Sequence, residues 1–74
     1  MILYSTSHCH LCEQAEALLQ IVAQARPIQW QVYDIVNDEA LLARYGEKIP
    51  VLAKENGQEL AWPFSLQDIL KFVD

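Results

Sequence analysis

Residues 8–12 read His-Cys-His-Leu-Cys, and they hold every cysteine and histidine of the chain. Two thiols three positions apart can ligate a metal, anchor a haem, staple the fold, or cycle between dithiol and disulfide. Covalent haem attachment wants histidine directly after the second cysteine, and Glu13 stands there instead. A structural zinc site takes four ligands, usually two from each of two separated segments. No further ligand of this kind follows Cys12, so His8 and His10 would have to complete the shell, and neighbours in sequence tend to point apart. A metal or iron–sulfur cluster shared between two chains escapes that objection. As a staple the pair is weak: closing a four-residue loop contributes about 2 kcal/mol, against ~3 for fifteen residues.

Reversible redox chemistry fits the spacing directly. On one helical turn, residues three apart carry Cβ atoms only ~5–6 Å from each other, so small rotamer changes can open or close an S–S bond. A thiolate at a helix N-terminus also meets free amide N–H groups and the positive end of the helix dipole, an interaction worth up to ~2 kcal/mol. Both effects draw the Cys9 thiol below its ordinary value. Cys9 is then the attacking thiolate and Cys12, further into the helix, the resolving thiol. His10, once protonated, would add to the stabilisation, and His8 would do so less directly. Equally, both can be solvent-exposed loop histidines. Lys48 is a further cation that would act only if its loop approaches the thiols.

The elements around the pair must supply that helix N-terminus. "ILYST" (2–6) is a short apolar, β-prone run and predicts a buried strand. From there the period changes: Leu11, Ala15, Leu18, Leu19 and Val22 form one amphipathic stripe, and Arg26-Pro27 supplies its stop. The segment 28–35, "IQWQVYDI", predicts a second strand that includes Trp30 and Tyr33. Asn37 is a good N-cap for the helix "DEALLARY", and Gly46 is placed to end it in the left-handed conformation. "PVLAKE" and "QELAW" flank Asn56-Gly57, a strong hairpin signal. Ser65 can cap a last helix, "LQDILKFV". The order is β-α-β-α-β-β-α: a parallel β-α-β unit joined to an antiparallel hairpin, an α/β four-stranded mixed sheet with helices on both faces.

The bulk composition agrees with a single domain over residues 1–74. The chain is 53% hydrophobic and 20% charged, with two glycines and three prolines. A domain this small buries only about 60% of its unfolded surface, which is marginal but sufficient without staples. The net charge of −5 provides no basic footprint for nucleic acid, and an anionic membrane would repel it. No stretch approaches the ~20 apolar residues of a membrane span, and "MILYS" does not read as a secretory leader. The expected setting is the cytoplasm, where a close cysteine pair is redox-active or metal-binding rather than structural. Small size and the lack of an evident apolar stripe suggest a monomer.

The strand followed by "CHLC", with "DIVNDEALLARYGEKIPVL" before a hairpin, resembles the thioredoxin fold. More narrowly, the chain is similar to the small bacterial glutaredoxin-like proteins over nearly its whole length. The resemblance implies a thioredoxin-like α/β domain with a cis Ile49–Pro50 peptide lying against the Cys9–Cys12 pair. Such a proline would leave the Ile49 N–H and C=O beside the thiols, where a substrate can pair as an added strand. Pro50 can also simply begin a strand. Glutathione-binding members carry C-P-Y-C, a nearby lysine and a Gly-Gly-x-Asp stretch; here His10-Leu11, Ser7-His8 and "ELAWPFS" stand in those places. Trp62, Pro63 and Phe64 would form either a replacement rim or a hydrophobic plug under the last helix.

Two functional expectations follow. In one, the protein is a thiol–disulfide oxidoreductase acting on protein or small-molecule disulfides, reset by glutathione or a reductase, with no organic cofactor. In the other, the same fold carries a metal or a bridged cluster on Cys9 and Cys12. A pure interaction domain with incidental thiols is the bland alternative.

Overall fold

The computed structural model describes residues 1–7 and 9–74, and seven elements follow one another among them. They are β1 (Ile2–Ser5), α1 (His10–Ala25), β2 (Gln31–Asp34), α2 (Glu39–Tyr45), β3 (Val51–Ala53), β4 (Glu59–Ala61) and α3 (Leu66–Val73). The strands form one sheet in the order β2-β1-β3-β4. β1 runs parallel to β2, whereas the β1–β3 and β3–β4 pairs are antiparallel. The C-terminal ends of β1, β2 and β4 therefore share one edge with the N-terminal end of β3.

Alternation along the strands divides the core in two. Leu3 and Leu52, opposite each other on β1 and β3, pack with Ala15, Leu19 and Val22 of α1 and with Phe64 and Ile69. Tyr4 and Val51, the next pair, face the other way and pack with Ile35, Leu41, Tyr45 and Ile49. So α1 and α3 cover one face and α2 the other.

Several local details depart from the sequence expectation. The buried residues of α1 are Cys12, Ala15, Leu19 and Val22, while Leu11 is 44% exposed. Leu11 lies only about 40° round the helix from Ala15, so it keeps to the stripe and is exposed in the first turn. Asp38, not Asn37, caps α2, its side chain accepting from the Leu41 N–H at 3.1 Å. Gly46 has φ −52°, in the right-handed region, because the chain keeps turning after the helix. The N–H groups of Lys48 and Ile49 both donate to the Tyr45 carbonyl there, at 2.8 and 3.0 Å.

β2 is shorter than expected and its four residues are exposed. The hairpin pairs Lys54 with Gln58 through a 2.9 Å hydrogen bond, so its loop holds three residues rather than two. Gly57 takes the left-handed conformation (φ 93°) that such a loop requires. The end of α1 follows expectation: Arg26, forced out of the helical region by Pro27, is extended at φ −135° and ψ 142°.

Candidate functional site

The strand-to-helix corner after β1 places the cysteines. Cys9 is the N-cap of α1, extended at φ −105° and ψ 108°, and Cys12 lies in the first turn. Their Cα atoms are 5.2 Å apart and their sulfurs are joined as a disulfide. The Cys12 N–H donates to the Cys9 sulfur at 3.1 Å, and the Glu13 N–H donates to the Cys9 carbonyl at the same distance. A sulfur thus occupies the capping position normally filled by a hydroxyl or carboxylate oxygen. The pair is asymmetric: Cys9 is half-buried, whereas Cys12 is only 5% exposed. Incoming reagents reach Cys9 first.

The loop that carries Cys9 is tied to the neighbouring strand. The Ser7 hydroxyl donates to Asp34 at 3.0 Å, and the other oxygen of that carboxylate accepts from the Val36 N–H at 2.9 Å. Ile35 N–H donates to the Ser5 carbonyl at 3.0 Å. This brace was not anticipated from sequence, where Asp34 carried no signal beyond its position in a strand.

His10 stands at the start of α1 with its ring in solvent, and its Nδ1 lies 3.7 Å from the Glu13 carboxylate. Its formal partner is therefore a carboxylate on the exposed face of the helix. His8 lies outside the described residues. Lys48 is exposed, in the turn before Ile49.

The Ile49–Pro50 peptide is cis, and Pro50 is fully buried. Since Val51 pairs with Tyr4, Ile49 and Pro50 come to the same end of the sheet as Cys9. The Ile49 N–H, expected to be open to substrate, is instead donated to the Tyr45 carbonyl. Pro50's carbonyl accepts from the Trp62 N–H at 3.0 Å. Among the described residues no donor reaches the Ile49 carbonyl. On the far side of that end, Phe64 is buried and meets Trp62 edge to face at 5.0 Å. Phe64 is the plug of the two alternatives, and the half-buried Trp62 packs against the same core. The Trp62–Pro63 peptide is also cis, a feature with no expectation behind it.

Comparison with known proteins places this geometry in a family. The model of the Glutaredoxin-like domain (DUF836) matches residues 1–74. The chain belongs to the glutaredoxin-like family. No functionally curated protein matches its sequence. Among solved structures, the X-ray structure of the structural-genomics target XcR50 from X. campestris matches at TM-score 0.87 and 40% identity. The match covers 99% of this chain and 93% of that one. Ne2328 from Nitrosomonas europaea, solved by NMR, matches at TM-score 0.84 and 26% identity, over 96% of this chain and 86% of the other.

Within this glutaredoxin-like domain, the N-terminus of α3 is closed by its own side chains. The Ser65 hydroxyl accepts from the Asp68 N–H at 3.1 Å, and the Asp68 carboxylate accepts from the Ser65 N–H at 2.9 Å. Hydrogen bonding to the carboxylate, from the Ser65 N–H foremost and then from the Ser65 hydroxyl, holds the Asp68 carboxyl below its usual value. Behind the cis proline, Tyr45 stacks on Tyr4 and its hydroxyl donates to Glu59. Burial, reinforced by that carboxylate, pushes the Tyr45 phenol up to about 12. The domain's close cysteine pair points to redox or thiol chemistry. No described helix is long and apolar enough to cross a membrane.

Proposed function

We propose that this glutaredoxin-like protein is a thiol–disulfide oxidoreductase using the Cys9/Cys12 couple on protein or small-molecule disulfides, in a reducing compartment such as the cytoplasm. The observation that carries the reading is the N-cap position of the Cys9 sulfur, where it receives the Cys12 N–H at 3.1 Å. A sulfur there is stabilised as an anion by the amide donor and by the positive end of a helix of 16 residues.

In the reduced protein the Cys9 thiolate attacks one sulfur of a substrate disulfide. A mixed disulfide forms, and the other half leaves as a thiolate that takes up a proton. Cys12 then loses its proton and attacks the Cys9 sulfur. The second half of the substrate leaves, and Cys9–Cys12 is oxidised. Two electrons pass to the substrate together with the Cys12 proton and one proton from solvent, and an external thiol, glutathione or a reductase, returns the electrons. The burial of Cys12 suits this order, because an inner thiol meets the mixed disulfide before solvent thiols do. No organic cofactor enters the cycle, and the protein acts as a monomer.

The test is a free-thiol count across a series of reduced-to-oxidised glutathione buffers, with metal analysis of the same sample. A reversible two-electron transition between about −280 and −180 mV is the expected result. Thiols that stay protected by stoichiometric metal would overturn it in favour of a carrier. Among the described residues no group of three or more His, Cys, Asp or Glu side chains is arranged to hold a metal.

A further inference from the structure

The edge that presents Ile49 is held from behind by one residue. Tyr45 ends α2 and is only 5% exposed. Its carbonyl accepts the N–H groups of both Lys48 and Ile49, which closes the turn leading to Pro50. Its ring stacks on Tyr4 of β1, with centroids 4.5 Å apart and planes at 17°. Its hydroxyl donates to Glu59 of β4, whose carboxylate also lies 3.6 Å from the Arg44 guanidinium. One side chain therefore joins α2, β1 and β4 around the loop that begins β3.

The ladder shows which polar group this arrangement leaves free. In an antiparallel strand, alternate residues bond to opposite neighbours. Trp62 donates to Pro50, and Lys54 donates to Gln58, so the even-numbered residues 50 and 54 serve β4. The odd-numbered residues face β1, where Val51 is paired with Tyr4. Ile49 lies beyond the last pair of that register, Tyr4 with Val51, across the cis peptide to Pro50, and β1 itself ends at Ser5. With its N–H already taken by Tyr45, Ile49 can offer an incoming chain an acceptor only.

We propose that Tyr45 is the positioning residue of the substrate edge, clamping the Ile49 N–H so that a peptide disulfide is captured through one bond, from a substrate N–H to the Ile49 carbonyl. This deepens the oxidoreductase reading and rests on it. Substrate main chain must then supply a donor, which favours peptide disulfides over thiol disulfides lacking an amide. Tyr45 touches neither sulfur, so it governs capture and leaves the chemistry of the pair alone.

Reduced wild-type protein and the variants Tyr45→Leu, Tyr45→Phe and Glu59→Ala are assayed with a short peptide carrying an intramolecular disulfide. KM, kcat, the potential of the pair in glutathione buffers, and hydrogen exchange of the Ile49 amide are measured. Tyr45→Leu, losing both stack and hydroxyl bond, is expected to raise KM about tenfold. Tyr45→Phe loses only the hydroxyl bond, whereas Glu59→Ala loses that bond and the exposed ion pair with Arg44; each raises it about threefold, with little further rise when combined. In all of them kcat and the potential stay at wild-type values. Ile49 exchange quickens in step with KM.

Unchanged KM and unchanged Ile49 protection in these variants overturn the proposal. So does a fall in kcat or a shift in potential that matches the KM change, which would make Tyr45 merely structural. Should Tyr45→Leu fail to fold, Tyr45→Phe and Glu59→Ala decide it. A wild-type protein that turns over no peptide disulfide refutes the oxidoreductase reading itself and substrate capture with it, and Ile49 exchange then decides the clamp separately.

Discussion

The Cys12 N–H donates to the Cys9 sulfur across 3.1 Å, so in the proposed cycle the residue cast as resolving thiol would also help to stabilise the attacking one through its main chain. That bond survives replacement of the Cys12 side chain. Cys12→Ser is therefore expected to keep the first attack and lose the second, accumulating Cys9 joined to half of the substrate. Cys9→Ser removes the half-buried sulfur assigned as nucleophile in the proposed cycle and is expected to reduce turnover to background with no adduct. Intact-protein mass spectrometry after mixing with a disulfide reads both outcomes. An adduct on Cys9→Ser but not on Cys12→Ser would reverse the assigned order.

His10 is expected to contribute little to the thiolate. Its ring lies in solvent with Nδ1 3.7 Å from Glu13, whose negative charge offsets the positive charge that a protonated imidazole would bring. Exposed pairs of this kind are weakly coupled to their surroundings. His10→Ala is expected to leave the rate of Cys9 alkylation at neutral pH within about threefold of wild type. Iodoacetamide labelling of the reduced protein, read by intact mass, checks this. A fall of more than about tenfold would return His10 to the role of main stabiliser.

How much of this was legible in the sequence depends on what each feature obeys. The element order, the placement of Cys9 and Cys12 at a helix start, and the Ser65 cap follow local rules, and the structure has them all. The cis Ile49–Pro50 peptide came from the family pattern; local chemistry alone favours trans for an X-Pro bond. What stayed hidden depends on distant partners. The Ile49 N–H looked free because nothing local says that Gly46 continues the turn far enough to bring Tyr45's carbonyl against it. The Ser7–Asp34 brace joins residues 27 positions apart. Only the parallel pairing of β1 and β2 brings those two together.

Leu11 and Leu19 test how far a sequence stripe stands for burial. Both fall on the periodic pattern of α1, yet Leu19 is fully buried while Leu11 is 44% exposed beside the disulfide. Leu19→Ala leaves a cavity between the helix and the sheet and is expected to cost about 2–5 kcal/mol. Leu11→Ser is expected to stay within about 0.5 kcal/mol of wild type. Urea denaturation of both variants decides this, and equal losses would show that Leu11 is part of the core.

Tyr45 should give a distinct alkaline titration. Burial, the hydrogen bond to Glu59 and the carboxylate's charge all favour its neutral form, pushing the phenol from 10.0 up to about 12. The raised value means that its contribution to stability is whole below pH 10.0 and is lost as pH rises through about 12. The phenolate absorbance of wild type minus that of Tyr45→Phe is expected to rise near pH 12, and folding stability to fall more steeply over that window in wild type. A difference band centred near pH 10 would mean that the phenol is solvated and unpaired.

The capping box of α3 carries a dependence of the opposite sign. Asp68 accepts the Ser65 N–H and is held below its unfolded value, chiefly by that bond and then by the hydroxyl. A depressed carboxyl contributes stability above the unfolded value of 3.8, and loses it as pH falls through the folded one. Asp68→Asn is therefore expected to destabilise the protein at neutral pH and to match wild type in acid, once the carboxylate is protonated. Ser65→Ala removes the hydroxyl that caps the Asp68 N–H and is expected to cost about 1 kcal/mol at neutral pH. Urea midpoints measured from neutral pH into the acid range test both. A wild-type advantage over Asp68→Asn that persists unchanged into acid would mean that the carboxylate's charge is not what closes the helix, and the amide group's poorer fit would be the cause instead.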